Sequence, residues 1–476
     1  MTKNFAKQRE MPFYGEAVLA ALQFSGPDLE RVRSLNNDDW TKLLAFCDAA
    51  QLTFTFAHMC GSDIPDWVRS RIDRNRSDSA KRRGRLDLAL GEISRRFNER
   101  GIEFALLKGS AHARWFSPDP TLRSTADIDL LCRPEALMRA RDELLSMGYR
   151  SVGSTKGRHL PPMVRETEWH WRGDYYASDL PLPVDLHYKL WDEKLERIAG
   201  PPEDEFWSRR SYGLFGTEMV AMLALPDALA FAAIHLLMHI LHGDTRLQRA
   251  WEIGYFLNNR AADDAFWFEW KRLHPPELRM LEVLIFLLVE SWFGCKLSTQ
   301  VEDEAKPLSP DIKLWLDRYA SSPVEALFTP NKNELWLNLC LIRSFRGRAR
   351  VFLRRVLPIY ASGDVCTERG KVESQPSGIS TYNFRHSVSR AIYHARTLAP
   401  TLVEGMKWWR IRQAPSRQEA RNSHVPNPKR QVELRTAWPK RLQSEFPLPP
   451  GLVDTMDDEE LEAIRPALVV KSTRNK

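Results

Sequence analysis

The chain has 476 residues, with 69 Lys+Arg against 62 Asp+Glu and a formal net charge of +7. That length exceeds a single typical domain, and 43% hydrophobic residues with 16 tryptophans provide for two or three folded units with real cores. The mild positive balance suits a protein that handles polyanions such as nucleotide phosphates, but is far too weak to establish nucleic-acid binding. The six cysteines are scattered, with no CxxC or Cys/His spacing, which excludes a zinc ribbon and reads as reduced, mostly buried thiols. The first ten residues hold no apolar run that could serve as a secretion signal. The longest greasy stretch, residues 281–293, falls short of a membrane span and contains Glu290. No transmembrane segment and a cytoplasmic location are therefore expected.

Residues 12–60 read as helices. One covers 16–24, and a second opens at Asp38-Asp39-Trp40, with acids at the favoured end and Trp40, Leu43, Leu44 and Cys47 on one face. A long amphipathic helix, or two, spans 66–100, with Leu86, Leu88, Leu90, Ile93 and Phe97 set among arginines that read as a solvated face. Gly101 ends it. A strand is predicted over 102–107, a short helix over 110–116, a second strand over 127–132 and a helix over 134–147. Gly148-Tyr149 leads into a third short strand. Residues 153–166, rich in Gly, Pro and basic residues, read as a mobile loop. Trp169-His170-Trp171 and residues 182–190 read as further strands. From about 203 the pattern returns to helix: 228–241, 246–257, 265–273 and 278–292. A basic helix over 333–357 follows, and residues 382–412 are compatible with one more. Residues 364–381 read as a linker, and beyond Pro415 the composition is that of disorder, apart from a short helix near 457–464.

The expected fold is α+β: a small mixed sheet flanked by helical regions. The divisions are residues 1–100 (N-terminal helical region), 101–200 (α/β core), 201–363 (C-terminal helical domain) and 364–476 (basic, largely disordered tail).

One stretch carries a charge cost that needs explaining. Asp127 and Asp129 stand at i and i+2 of an otherwise apolar strand and so share a face, where like charges repel. A divalent cation, Mg2+ or Mn2+, offsets that repulsion most simply, because hard cations take carboxylate oxygens. Asp185, in the apolar run Val184-Asp185-Leu186-His187, is the candidate third ligand and a candidate base for an acceptor hydroxyl. Two ions held by such a set clamp the attacking and leaving oxygens of an in-line displacement. Upstream, Lys108-Gly109-Ser110 joins a strand to a helix. Gly109 and Ser110 offer backbone N–H groups and a hydroxyl to phosphate oxygens, and Lys108 and Arg123 are cations near where phosphates would lie. The set points to transfer of a nucleotide from a nucleoside triphosphate with release of pyrophosphate.

The ordered run Leu106-Leu107-Lys108-Gly109, Arg123, Asp127-Ile128-Asp129-Leu130-Leu131 and Val184-Asp185-Leu186-His187 resembles the nucleotidyltransferase superfamily of DNA polymerase β-like fold. More narrowly, it is similar to the bacterial uncharacterised nucleotidyltransferase family, over roughly residues 35–290. The resemblance implies metal ligands at Asp127, Asp129 and Asp185 and phosphate contacts at Gly109 and Ser110. It implies no particular acceptor; a sugar phosphate, a protein and RNA all stay open. One departure is that the helix after Arg246-Leu247 offers Glu252 where an Asp is expected.

Bland readings compete at several positions. Arg123 can anchor its loop to Asp127 or Asp129 instead of touching phosphate, and Lys108 can be a structural ion pair. His187 shares a face with Asp185 and can support it from behind. His235, His239 and His242 line one helix face, and packing or substrate-edge roles fit them better than zinc. The arginines Arg343, Arg346, Arg348, Arg350, Arg354 and Arg355 form a solvated face, a contact for an acidic acceptor or nucleic acid, or an anionic membrane-surface contact. Alternatives to the enzyme are a catalytically silent nucleotide-binding scaffold of the same fold and an RNA-modifying nucleotidyltransferase.

Overall fold

The computed structural model describes residues 11–108, 111, 113–153, 157–215, 218–356, 394 and 396–412. Gly109, Ser110, the 364–381 linker and the segment beyond Pro415, with the helix expected near 457–464, lie outside the described residues.

Seven strands form one mixed sheet in the order β3-β4-β5-β2-β1-β7-β6. They are β1 (Phe104–Leu107), β2 (Ile128–Cys132), β3 (Tyr149–Ser151), β4 (Met163–Arg165), β5 (Val184–His187), β6 (Ser211–Phe215) and β7 (Glu218–Met222). The sheet within a largely helical chain is the α+β architecture expected. At its centre β2 runs antiparallel to β1 and parallel to β5.

Strand alternation divides the interior in two. Leu106, Ile128, Leu130, Val184, Leu186 and Val220 point to one face and pack on the second half of the long helix Asp66–Glu99 and on helix Pro134–Ser146. Ala105, Leu107, Leu131 and Ala221 point the other way, into a larger core shared with helices Leu225–Leu241, Leu247–Arg260 and Pro276–Phe293. By parity, Asp127, Asp129, Asp185 and His187 belong to this second face.

Several elements depart from the sequence expectations. Trp169-His170-Trp171 forms no strand; the place beside β5 is taken by β4, from the stretch read as a mobile loop, with Met163 and Val164 buried. The aromatic rings instead pack on one another, Trp169 on Trp171 at 6.2 Å and Trp171 on Tyr175 at 5.0 Å. The β6–β7 hairpin lies where helix was expected. Met and Ala in Glu-Met-Val-Ala-Met favour helix locally, but Leu106 of β1 pairs in parallel with Met222, and the open sheet edge decides.

The long helix is single. Its Leu88 is 77% exposed, whereas Arg82 is fully buried. The basic helix breaks into Glu334–Leu341 and Phe345–Val356. Ile342 turns extended between them, and Ser344 accepts a bond from the Gly347 N–H to start the second piece. Arg343, Arg346, Arg348 and Arg350 are exposed, but Arg355 is drawn inward onto Glu334. Among the described residues no helix is long and apolar enough to cross a membrane.

Candidate active site

The site begins with strand register. β2 and β5 run side by side so that Asp129 lies opposite Asp185 and Leu131 opposite His187. Asp127 stands one residue before β2 on the same face. On the other flank, β1 ends at Leu107 opposite Asp129, and Lys108 follows with a positive φ of 44°. A non-glycine residue in that region is uncommon. Here the turn brings the ammonium back over β2.

Asp129 is the hub. Its Oδ1 accepts from Lys108 Nζ at 3.0 Å and from His187 Nε2 at 2.8 Å. Both partners are almost wholly enclosed. Burial opposes ionisation of Asp129, but Lys108 and the His187 bond outweigh it and hold the carboxyl well below its ordinary value. Burial, and then the Asp129 charge, push Asp127 the other way. Burial takes His187 down to about 4 against the pull of Asp129, so its imidazole is neutral at neutral pH. A carboxylate only accepts, so the His187 proton sits on Nε2. Burial lowers Lys108 as well, with Asp129 opposing.

The loop into β2 is held from below by an arginine that the sequence reading counted as solvated. Arg82 donates to the Thr125 carbonyl at 3.3 Å, to the Tyr175 carbonyl at 2.8 Å and to Ser124 Oγ. Arg123 anchors to neither Asp127 nor Asp129. It pairs with Glu252 at 3.1 Å, the acid that stands where an Asp was expected, and Gln248 holds the other oxygen of Glu252 at 2.9 Å.

Beside Lys108, where the sheet meets the helical half, is a pocket. Its polar lining is Lys108, Arg123, His235, Arg249 and Glu252, and its apolar wall includes Phe116, Phe231 and Ile253. The other two histidines of that helix face have carboxylate partners outside this lining: His239 reaches Asp244 at 3.3 Å and His242 reaches Glu196 at 3.1 Å.

The residues expected to form the site thus fall into two groups. Asp127, Asp129, Asp185, Lys108 and Arg123 gather on or beside one sheet face, while Gly109 and Ser110 lie outside the described residues. Arg82 and Arg249 were missed as site residues, and His235 was expected only as a packing or substrate-edge histidine. A signal for the arginines was present. Arg82 falls in the buried series Ser79, Leu86, Leu90 and Ile93 of its helix. Arg249 precedes Glu252, Ile253 and Phe256 at i+3, i+4 and i+7. A charged residue on an apolar stripe is there for a partner.

The donor set fits a divalent cation. One ligand atom from each of Asp129, Asp185 and His187 lies within 4.8 Å of the others. Two opposed carboxylates suit a hard ion, and the imidazole orients one of them.

The site thus combines paired carboxylates on a mixed sheet with a cation-lined pocket beside them. The family described as "Uncharacterised nucleotidyltransferase" matches residues 36–294, more than half of the chain, and the chain belongs to that family. No curated protein matches the chain. No solved structure matches it either.

Proposed function

We propose that the protein moves a nucleoside monophosphate from a nucleoside triphosphate to an acceptor, releasing pyrophosphate, with Mg2+ or Mn2+ bound by Asp127, Asp129 and Asp185. The observation that carries this reading is the in-register Asp129–Asp185 pair on the sheet face turned to the helical half, with Lys108 beside it.

The residues divide the work. Asp129 is kept ionised by Lys108 and oriented by His187, ready to bind a cation at neutral pH. The bound cations would neutralise charge on the α-phosphate and on the leaving pyrophosphate. Lys108 and Arg123 hold phosphate oxygens, and the Gly109-Ser110 turn is assigned the same role from its sequence. Asp185 takes the proton of the acceptor hydroxyl as its oxygen bonds to the α-phosphorus and the bond to pyrophosphate breaks. The neighbouring apolar wall of Phe116 and Phe231 limits competing water.

The test is to incubate the full chain with each labelled triphosphate, a divalent cation and a cell extract, following both pyrophosphate and the labelled product. Label on a sugar phosphate, on protein or on RNA identifies the acceptor class. Asp127→Asn should abolish transfer with the circular dichroism unchanged. Turnover at the wild-type rate in that variant rules the assignment out.

A further inference from the structure

The pocket beside Lys108 contains a cation with no directly bonded acid. Lys108 is paired with Asp129, and Arg123 with Glu252. Arg249 lines the same space, yet its guanidinium makes no hydrogen bond or ion pair to any described residue. Glu252 already serves Arg123 and Gln248. Nearby, His235 is 5% exposed and its Nδ1 has no hydrogen-bond partner. Burial and then the like charge of Arg123 work against the Arg249 cation, while Asp127, Asp129 and Glu252 favour it without a direct bond. Arg249 is half-buried, and a guanidinium drawn partly out of water favours a partner that accepts from it; its planar fork matches a phosphate or carboxylate.

We propose that Arg249, with Lys108, Arg123 and His235, forms a phosphate-binding subsite on the helical side of the pocket. Arg249 is its principal donor and His235 a neutral hydrogen-bonding partner. The ligand is a phosphoryl group. It comes either from the terminal phosphates of the triphosphate or from a phosphorylated acceptor, and only this question of source rests on the nucleotidyl-transfer reading. Phe116, Phe231 and Ile253 supply an apolar wall that excludes water from the contact. That exclusion strengthens an ionic hydrogen bond over its value in solvent.

The experiment is calorimetric titration of the full chain with inorganic pyrophosphate in the presence of a chelator, so that no cation and no turnover are needed. Wild type should bind, and Arg249→Gln should bind at least about tenfold more weakly, the size expected for losing a charge-assisted pair. Glu252→Gln should move the other way and bind more tightly, because it removes the pocket's own carboxylate; general misfolding cannot produce that gain. Exposed Arg346→Gln should leave binding unchanged. Equal affinity in wild type and Arg249→Gln, or no binding by wild type, overturns the subsite.

Titration of Arg249→Gln with ATP and AMP then locates the source. A loss larger for ATP than for AMP assigns the subsite to the terminal phosphates. Unchanged nucleotide affinity, with pyrophosphate binding lost, assigns it to the acceptor. A chain that binds pyrophosphate through Arg249 but transfers no nucleotide would refute the proposed reaction and leave the subsite standing.

Discussion

Two of the clusters of buried charge among the described residues are built differently. One joins four segments of the helical half. Arg209 grips Asp227 with two bonds, at 3.0 and 2.7 Å. His274 reaches Asp227 at 3.1 Å through Nε2 and Glu282 at 2.9 Å through Nδ1, and Trp270 satisfies the other oxygen of Glu282 at 2.8 Å. With His274 protonated, two cations meet two carboxylates. The other cluster is the carboxylate face. There Asp129 and Asp185 oppose each other, His187 Nδ1 and His235 Nδ1 have no hydrogen-bond partner, and Arg249 has none among the described residues.

The direction of the histidine shifts records the contrast. Burial disfavours the charged form of both His274 and His187. At His274 the two carboxylates win and raise it to about 9; at His187 burial wins and takes it to about 4. A closed network stabilises a fold, whereas an open one awaits a ligand. Each cluster can be perturbed without touching the other.

The largest effect is expected at the open cluster. Asp129→Asn removes the hub, and transfer should fall by at least about a thousandfold, the scale of losing a group that stabilises transition-state charge. The unfolding midpoint should also fall, because the buried Lys108 ammonium loses its carboxylate partner. Transfer at the wild-type rate by the folded variant would make Asp129 a structural residue instead.

Next comes the closed cluster. Because His274 sits near 9 when folded and near 6.5 when unfolded, its protonation stabilises the protein fully below about 6.5. That contribution disappears as pH rises through 9. Its size is on the order of 3 kcal/mol. His274→Gln should cost about that much at pH 6 and progressively less towards pH 9.5, measured by urea unfolding at each pH. Parallel profiles for variant and wild type would show that the network does not hold the proton.

Arg82→Met tests the support beneath the open cluster. Losing three bonds to the 124–125 loop and the Tyr175 carbonyl should cost about 2 kcal/mol and lower kcat more than it raises KM, since Asp127 is displaced rather than removed. Equal kcat in variant and wild type would detach the loop from the chemistry. The smallest effect belongs to Leu88. At 77% exposure, Leu88→Ala should alter stability by no more than about 0.5 kcal/mol.

What the sequence determined by itself was the strand pattern of the candidate site. Asp127 and Asp129 share a face because strand geometry has a period of two, and Asp185 and His187 do so for the same reason. Apolar neighbours such as Leu130 and Leu186 marked both segments as buried. Apolar helices, such as the one expected over 278–292 and found at Pro276–Phe293, were equally legible, because their burial follows from local composition.

Tertiary structure decided which strand lies beside which. Met163–Arg165 rather than the tryptophan run borders β5, and Met222 joins β1 despite its helical surroundings. Sheet edges are completed by whatever backbone reaches them, and that is a long-range event without a local code. The same holds for charge partners. Arg123 meets Glu252 across 129 residues of chain, Arg82 meets Thr125 across 43, and Arg249 is left facing the pocket. Residue type shows that such a cation needs an acceptor; only the packed fold shows whether the protein supplies one.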